Sequence, residues 1–130
     1  MREILFRGKC KNDGKWMEGF PVRIYDYGGK IWEMHPFETN FNVICGVIPE
    51  SIGQFTGLTD KNDKKIFEGD ILDCKSGLYE RCKVIFNEFC SAFQLECADG
   101  FSDFFLCSIN HKEMEIIGNI HDNPELLENP

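Results

Sequence analysis

Seven cysteines, three histidines and two groups of acids are the side chains with which this chain could do chemistry. The cysteines stand at 10, 45, 74, 82, 90, 97 and 107. Thiolates bind soft metals and act as nucleophiles, but no two cysteines have the Cys-x-x-Cys spacing of a zinc knuckle. Cys74, Cys82 and Cys90 recur every eight residues. That is close to the repeat of a strand plus a turn, so a meander can gather them. The reading adopted is that they are small buried apolar side chains. An odd number of cysteines without a secretion signal argues against a disulfide framework. A reducing cytosol would keep all of them as thiols. Cys90, in the loop-like stretch Asn87-Glu88-Phe89-Cys90-Ser91, is expected to be the exposed one, and no base is placed beside it.

His35, His111 and His121 lie far apart, and no pair has helical metal spacing. Glu68, Asp70 and Asp73 cluster, as do Asp99 and Asp103; paired acids can serve acid–base or metal chemistry. On an extended strand, however, Asp70 and Asp73 point to opposite faces. A solvated surface accounts for these acids in a chain this acidic. No Gly-x-Ser-x-Gly elbow or Walker loop occurs. The sequence therefore reads as that of a protein that is not an enzyme, with no cofactor and no metal ligands assigned.

The elements that must position these residues are short β-type runs divided by turn residues. Arg2–Gly8 and Lys15–Phe20 flank Asn12-Asp13-Gly14 and predict a hairpin; Val22–Tyr27 and Lys30–Met34 flank Gly28-Gly29 and predict a second. His35–Asn42 reads as a loop and Val43–Ile48 as a short strand. After Pro49 a turn leads to an extended segment, then to the polar turn Asp60–Lys64. Ile66-Phe67, Ile71–Lys75, Glu80–Asn87, Phe93–Cys97, Phe101–Cys107 and Glu113–Ile117 follow, with Asp99-Gly100 as a hairpin turn. Cys82, Val84 and Phe86 alternate with Arg81, Lys83 and Ile85, and Phe93, Leu95 and Cys97 alternate with Gln94 and Glu96 facing out. Asp122–Leu127 reads as a cap and one helical turn, with His121 capping it.

These runs predict an all-β protein with only short helical turns. About residues 52–120 would form a small SH3-like or related curled barrel. Residues 1–48 would form an N-terminal layer of β-hairpins, with residues 49–130 as the barrel-like core; the alternative is a single domain, 1–130. Hydrophobic residues make up 42%, with twelve Phe against four Met, so the core should be rich in rings.

Net charge is −8, with 22 acidic and 14 basic residues. Nucleic-acid binding relies on neutralised phosphates, so this balance disfavours it and leaves only a local patch open. No stretch approaches the roughly 20 apolar residues of a membrane helix, and the apolar run at the N-terminus is too short for a signal core. The expected location is the cytoplasm of the cell that makes the protein, with no membrane partner.

Three segments carry a family resemblance. They are Arg2-Glu3-Ile4-Leu5-Phe6-Arg7-Gly8-Lys9, the block from Ile52-Gly53-Gln54-Phe55-Thr56-Gly57 to Ile66-Phe67-Glu68-Gly69-Asp70-Ile71, and the close Glu115-Ile116-Ile117-Gly118-Asn119-Ile120-His121-Asp122-Asn123-Pro124-Glu125-Leu126-Leu127. In that order they resemble the YopX-like family of phage and prophage proteins. The resemblance implies an all-β fold and a phage or prophage origin, and it brings no established activity. The candidate binding residues are Gly53, Gln54, Phe55, Gly57, Glu68, Gly69 and Asp70, together with the rings of Trp16 and Trp32. On turn chemistry alone, Gly69 can take a positive φ, Asp70 can bond to nearby amides and Phe55 can plug a core.

The expected function is a noncatalytic protein-interaction module that binds a basic host or phage protein. The alternative is a single-stranded nucleic-acid-binding small barrel, using Trp16, Tyr25, Tyr27 and Trp32 with Arg2, Arg7, Lys9, Arg23 and Lys30. The ring-rich N-terminal hairpins also predict a homo-oligomer.

Overall fold

The computed structural model describes residues 2–26, 28–36, 44–74, 81–97, 103–106 and 110–128. The expected loop at 35–42 and the Asp99-Gly100 turn fall largely or wholly outside them. The chain is all-β, with strands in two antiparallel sheets and, among the described residues, no helix beyond short 3-10 turns. It forms two compact units, Met1–Phe55 and Thr56–Pro130. The division falls inside a strand, past the Pro49 turn.

In the first unit the strands are β1 (Phe6–Lys9), β2 (Trp16–Asp26), β3 (Gly29–His35), β4 (Cys45–Gly46) and the start of β5 (Gly53–Thr59). Their order is β4-β3-β2-β1-β5. The first hairpin forms as the turn residues predict. Gly14 takes φ +70°, and Asp13 Oδ1 accepts a hydrogen bond from the Lys15 amide at 2.9 Å. The runs Lys15–Phe20 and Val22–Tyr27 are not separate strands. They join as the eleven-residue β2, which passes straight through Pro21. Pro21 lies beyond the last β1 partner pair, Phe6 with Gly19, on the stretch that pairs with β3. One side of the strand needs no donor there, and proline is tolerated.

The sheet curls until the end of β4 meets the end of β1. Cys10 bridges Val47, and the Lys11 and Ile48 amides donate to the carbonyls of Gly46 and Lys9, each at 2.9 Å. Gly8 permits this: a Cβ there would lie 2.9 Å from Met34 Cε and 3.2 Å from Val47 Cγ1. Inside the curl Cys10, Met34 and Val47 are buried against Met17, Trp32, Cys45 and Ile52. The curl also corrects the expectation that every cysteine is a thiol. Cys10 and Cys45 form a disulfide, their Cα atoms 6.0 Å apart. Counting cysteines could not show it, because the pair is made by bringing β4 against the end of β1.

In the second unit the end of β5 pairs with β6 (Lys65–Phe67). The main sheet holds β7 (Asp70–Asp73), β8 (Arg81–Asn87), β9 (Ala92–Cys97), β10 (Asp103–Phe105) and β11 (Glu115–Asn119), in the order β10-β9-β8-β7-β11. Among the described residues this sheet stays open. Its edges are β10 and β11, so the all-β core expected over about residues 52–120 is an open antiparallel sheet and no closed barrel. The physical reason is that β11 returns to pair with β7 alone, with a register shift between Ile116 and Gly118. Alternation is otherwise as expected: Cys82, Val84, Leu95 and Cys97 are buried with Ile66, Leu72, Leu106 and Met114. There are two departures. Phe86 is exposed at the sheet's end, and Gln94 is buried rather than facing out because it accepts from Asn87 Nδ2 at 3.1 Å.

Candidate functional site

The block from Gly53 to Asp70 is placed by contacts to both neighbouring strands and turns. Gln54 and Gly53 pair with Phe6 and Arg7 of β1. Phe55 is buried, as expected for a plug, and its amide donates to the Leu5 carbonyl at 2.8 Å. Gly57 and Gly69 have φ of +90° and +92°, a region that favours glycine. The Gly69 amide donates to the Val84 carbonyl at 2.8 Å, and its carbonyl accepts from Ile120 at 2.9 Å. Asp70 is buried, and its Oδ2 accepts from the Phe67 amide at 2.7 Å. Glu68 is half-buried in the turn between β6 and β7.

Glu68, Asp70 and Asp73 are placed differently. The Asp70 carboxylate turns inward onto its own turn, while Asp73 stands in register with Arg81 and Glu115. Among the described residues, no group of three His, Cys, Asp or Glu side chains is placed to hold a metal ion.

A second buried carboxylate was missed by sequence reasoning. Asp60 heads the polar turn between β5 and β6, where an Asx-type turn is the only local signal. Its Oδ1 accepts from the amides of Asn62 (2.8 Å) and Lys64 (3.0 Å), and Oδ2 accepts from Ile116 (3.0 Å). Burial alone would raise its pKa. The three amides and the Lys64 charge outweigh that and hold the carboxyl below its ordinary value. Around it the turn is clasped to the segment before β11. His111 Nδ1 lies 2.7 Å from the Thr59 carbonyl, Lys112 Nζ donates to Thr59 Oγ1 at 2.7 Å, and Lys61 pairs with Glu115 at 3.3 Å. The His121 amide donates to Asn119 Oδ1, at 3.0 Å.

Rings and charges also stand at the surface. In the first unit the Arg7 guanidinium lies 4.8 Å over the Trp16 ring, and Arg23 lies 5.9 Å over Trp32. Both indoles are half-buried, while Tyr25 is 71% exposed. Phe20, Val22 and Ile24 share one face of β2 by the two-residue period of a strand, and Ile31 of β3 stands opposite Ile24. Phe20 and Val22 are exposed. In the second unit Phe89 projects fully from the β8–β9 turn, next to Cys90, which is exposed as expected. Phe86 packs edge-on to Phe93, at 5.2 Å and 65°.

Charge is divided unevenly. Met1–Phe55 holds seven acidic and seven basic residues, whereas Thr56–Pro130 holds fifteen acidic and seven basic. The whole net charge of −8 therefore belongs to the second unit. Among the described residues, no helix is long and apolar enough to cross a membrane.

Known proteins of similar shape exist. The chain is 27% identical to protein EF1440 from Enterococcus faecalis, with a TM-score of 0.58, covering 98% of this chain and 100% of that one. It is 17% identical to protein yopX from Bacillus subtilis, with a TM-score of 0.56, covering 100% and 99% of the two chains. The second likeness is one of fold. Among curated proteins, none matches the sequence significantly. The sequence model of the YopX protein family matches residues 5–128, and the chain belongs to that family.

Proposed function

We propose that the chain is a noncatalytic protein-interaction module, of phage or prophage origin and acting in the cytoplasm of the bacterial host, whose second unit receives a basic partner protein. The observation that carries this reading is the charge division, with all of the −8 on Thr56–Pro130. A one-sign field steers a basic partner and gives binding that falls with salt. The test is affinity capture from lysate of infected host cells at low salt, read by mass spectrometry. The expected result is a basic protein that is released as salt rises and is not captured by a Glu88→Lys, Glu125→Lys variant. Capture that is indifferent to salt and to both substitutions would overturn it.

Self-association is a second reading, favoured by the apolar row Phe20, Val22 and Ile24 with Ile31 opposite. Two copies could bury this row against each other in a closed two-fold pair. Binding of single-stranded nucleic acid has less support, since Arg7 and Arg23 already lie over the indole faces on which bases would stack.

A further inference from the structure

Three thiols lie side by side in the core of the second unit, across neighbouring strands. Cys74 follows β7 and is 9% exposed, Cys82 on β8 is 1% exposed, and Cys97 on β9 is 4% exposed. The Sγ atoms of Cys74 and Cys82 are 3.7 Å apart, and those of Cys82 and Cys97 are 3.0 Å apart. The expected trio was Cys74, Cys82 and Cys90. Cys90 instead sits on the exposed turn, and register brings in Cys97 as the residue directly opposite Cys82.

We infer that Cys82 and Cys97 are a site of reversible oxidation, closing to a cross-strand disulfide, with Cys74 as the thiol through which the oxidant is admitted. Directly opposed residues on antiparallel strands have Cα atoms about 4.5–5.5 Å apart, within the roughly 4.4–6.8 Å that a disulfide spans. The two sulfurs therefore need to close by only about 1 Å to reach bonding distance. A metal site is the competing use of clustered thiols, but no group of three ligands converges among the described residues.

The oxidant is a low-molecular-weight disulfide, and the exchange runs in three steps. The Cys74 thiolate attacks one sulfur of the small disulfide and releases a small thiolate. The Cys82 sulfur then attacks Cys74, giving up its proton to the second small thiolate, which leaves; a Cys74–Cys82 bond results. Cys97 attacks Cys82, breaks that bond and passes its proton to Cys74, which returns to a thiol. One small disulfide is reduced to two small thiols, and two protein thiols are oxidised to one disulfide. The order suits the thiols' acidity. The hydrogen bond with Cys82 holds Cys74 below the ordinary thiol range, against burial and Asp73, which push it up. Cys82 is pushed up by its hydrogen bond to Cys74, by burial and by Cys97. The thiolate needed for the first attack therefore forms on Cys74, the most exposed of the three.

The experiment uses the full chain with Cys90→Ser and Cys107→Ser, which removes the exposed thiol of the described residues and the seventh cysteine from the reaction. The folded protein is exposed to oxidised glutathione, quenched by alkylation, digested without reduction and read by mass spectrometry. The expected product joins the Cys82 and Cys97 peptides, two hydrogens lighter than the reduced pair. It should appear while the near-UV dichroism of the fold persists, and dithiothreitol should reverse it. Cys74→Ser should slow its formation roughly tenfold, and Cys97→Ser should accumulate the Cys74–Cys82 bond instead. The inference is overturned if Cys82 and Cys97 stay unlinked and become alkylated only after denaturant unfolds the chain. An unchanged rate in Cys74→Ser would overturn the role given to Cys74.

Discussion

The carboxylate of Asp60 accepts a hydrogen bond from the Ile116 amide, 3.0 Å away and 56 residues further along the chain. The same side chain closes the β5–β6 turn through Asn62 and Lys64, so one buried group sets both a local bend and the seating of an edge strand. Asp60→Asn would put an amide N–H against a backbone N–H. Leaving buried donors unsatisfied costs about 1–3 kcal/mol each. Urea unfolding should show a loss of that order, with β11 exchanging its amide hydrogens first.

Asp60 also predicts a pH dependence. Its folded pKa lies below the ordinary 3.8. A depressed carboxyl stabilises the fold above its unfolded pKa, and that stability is lost as pH falls through the folded value. Unfolding free energy measured downward from about pH 5 should therefore decline in the native chain, and more shallowly in Asp60→Asn.

Gly69 should resist replacement. At φ +92°, any side chain is strained by about 1–3 kcal/mol, and both its amide and its carbonyl are engaged. Gly69→Ala should lower the unfolding free energy by that amount. Asp70→Ala should lower it further by leaving the buried Phe67 amide without its acceptor.

The Cys10–Cys45 disulfide closes a separation of 35 residues, for which chain-entropy reasoning gives about 3–4 kcal/mol. Adding reductant to the native chain should lower stability by about that much. In Cys10→Ser, Cys45→Ser, reductant should have no such effect. A null result in the native chain would mean that the pair does not form in solution.

Self-association through β2 predicts that sedimentation at micromolar concentration gives a mass above 15.0 kDa. Phe20→Asp with Val22→Asp should return the mass to that of the monomer while leaving strand content unchanged, since both side chains are exposed. A native chain that sediments as a monomer would sink this prediction.

Most of the strand runs, the turns at Asn12-Asp13-Gly14 and Glu68-Gly69, the bond from Asp70 to a nearby amide, the Phe55 plug and the family were legible in the residues alone; the burial of Asp70 was not, since a solvated surface was expected for it. The former are readable because alternation, positive-φ glycine and Asx chemistry act over a few residues. Only the tertiary structure decided the rest. It joined β2 through Pro21, left the second sheet open, bonded Cys10 to Cys45, set Cys97 rather than Cys90 beside Cys82, and carried Asp60 to Ile116. Each of these is a pairing between strands, and such a pairing depends on register. A shift of one residue turns every side chain to the other face, and no local pattern in either strand records which register its partner will adopt.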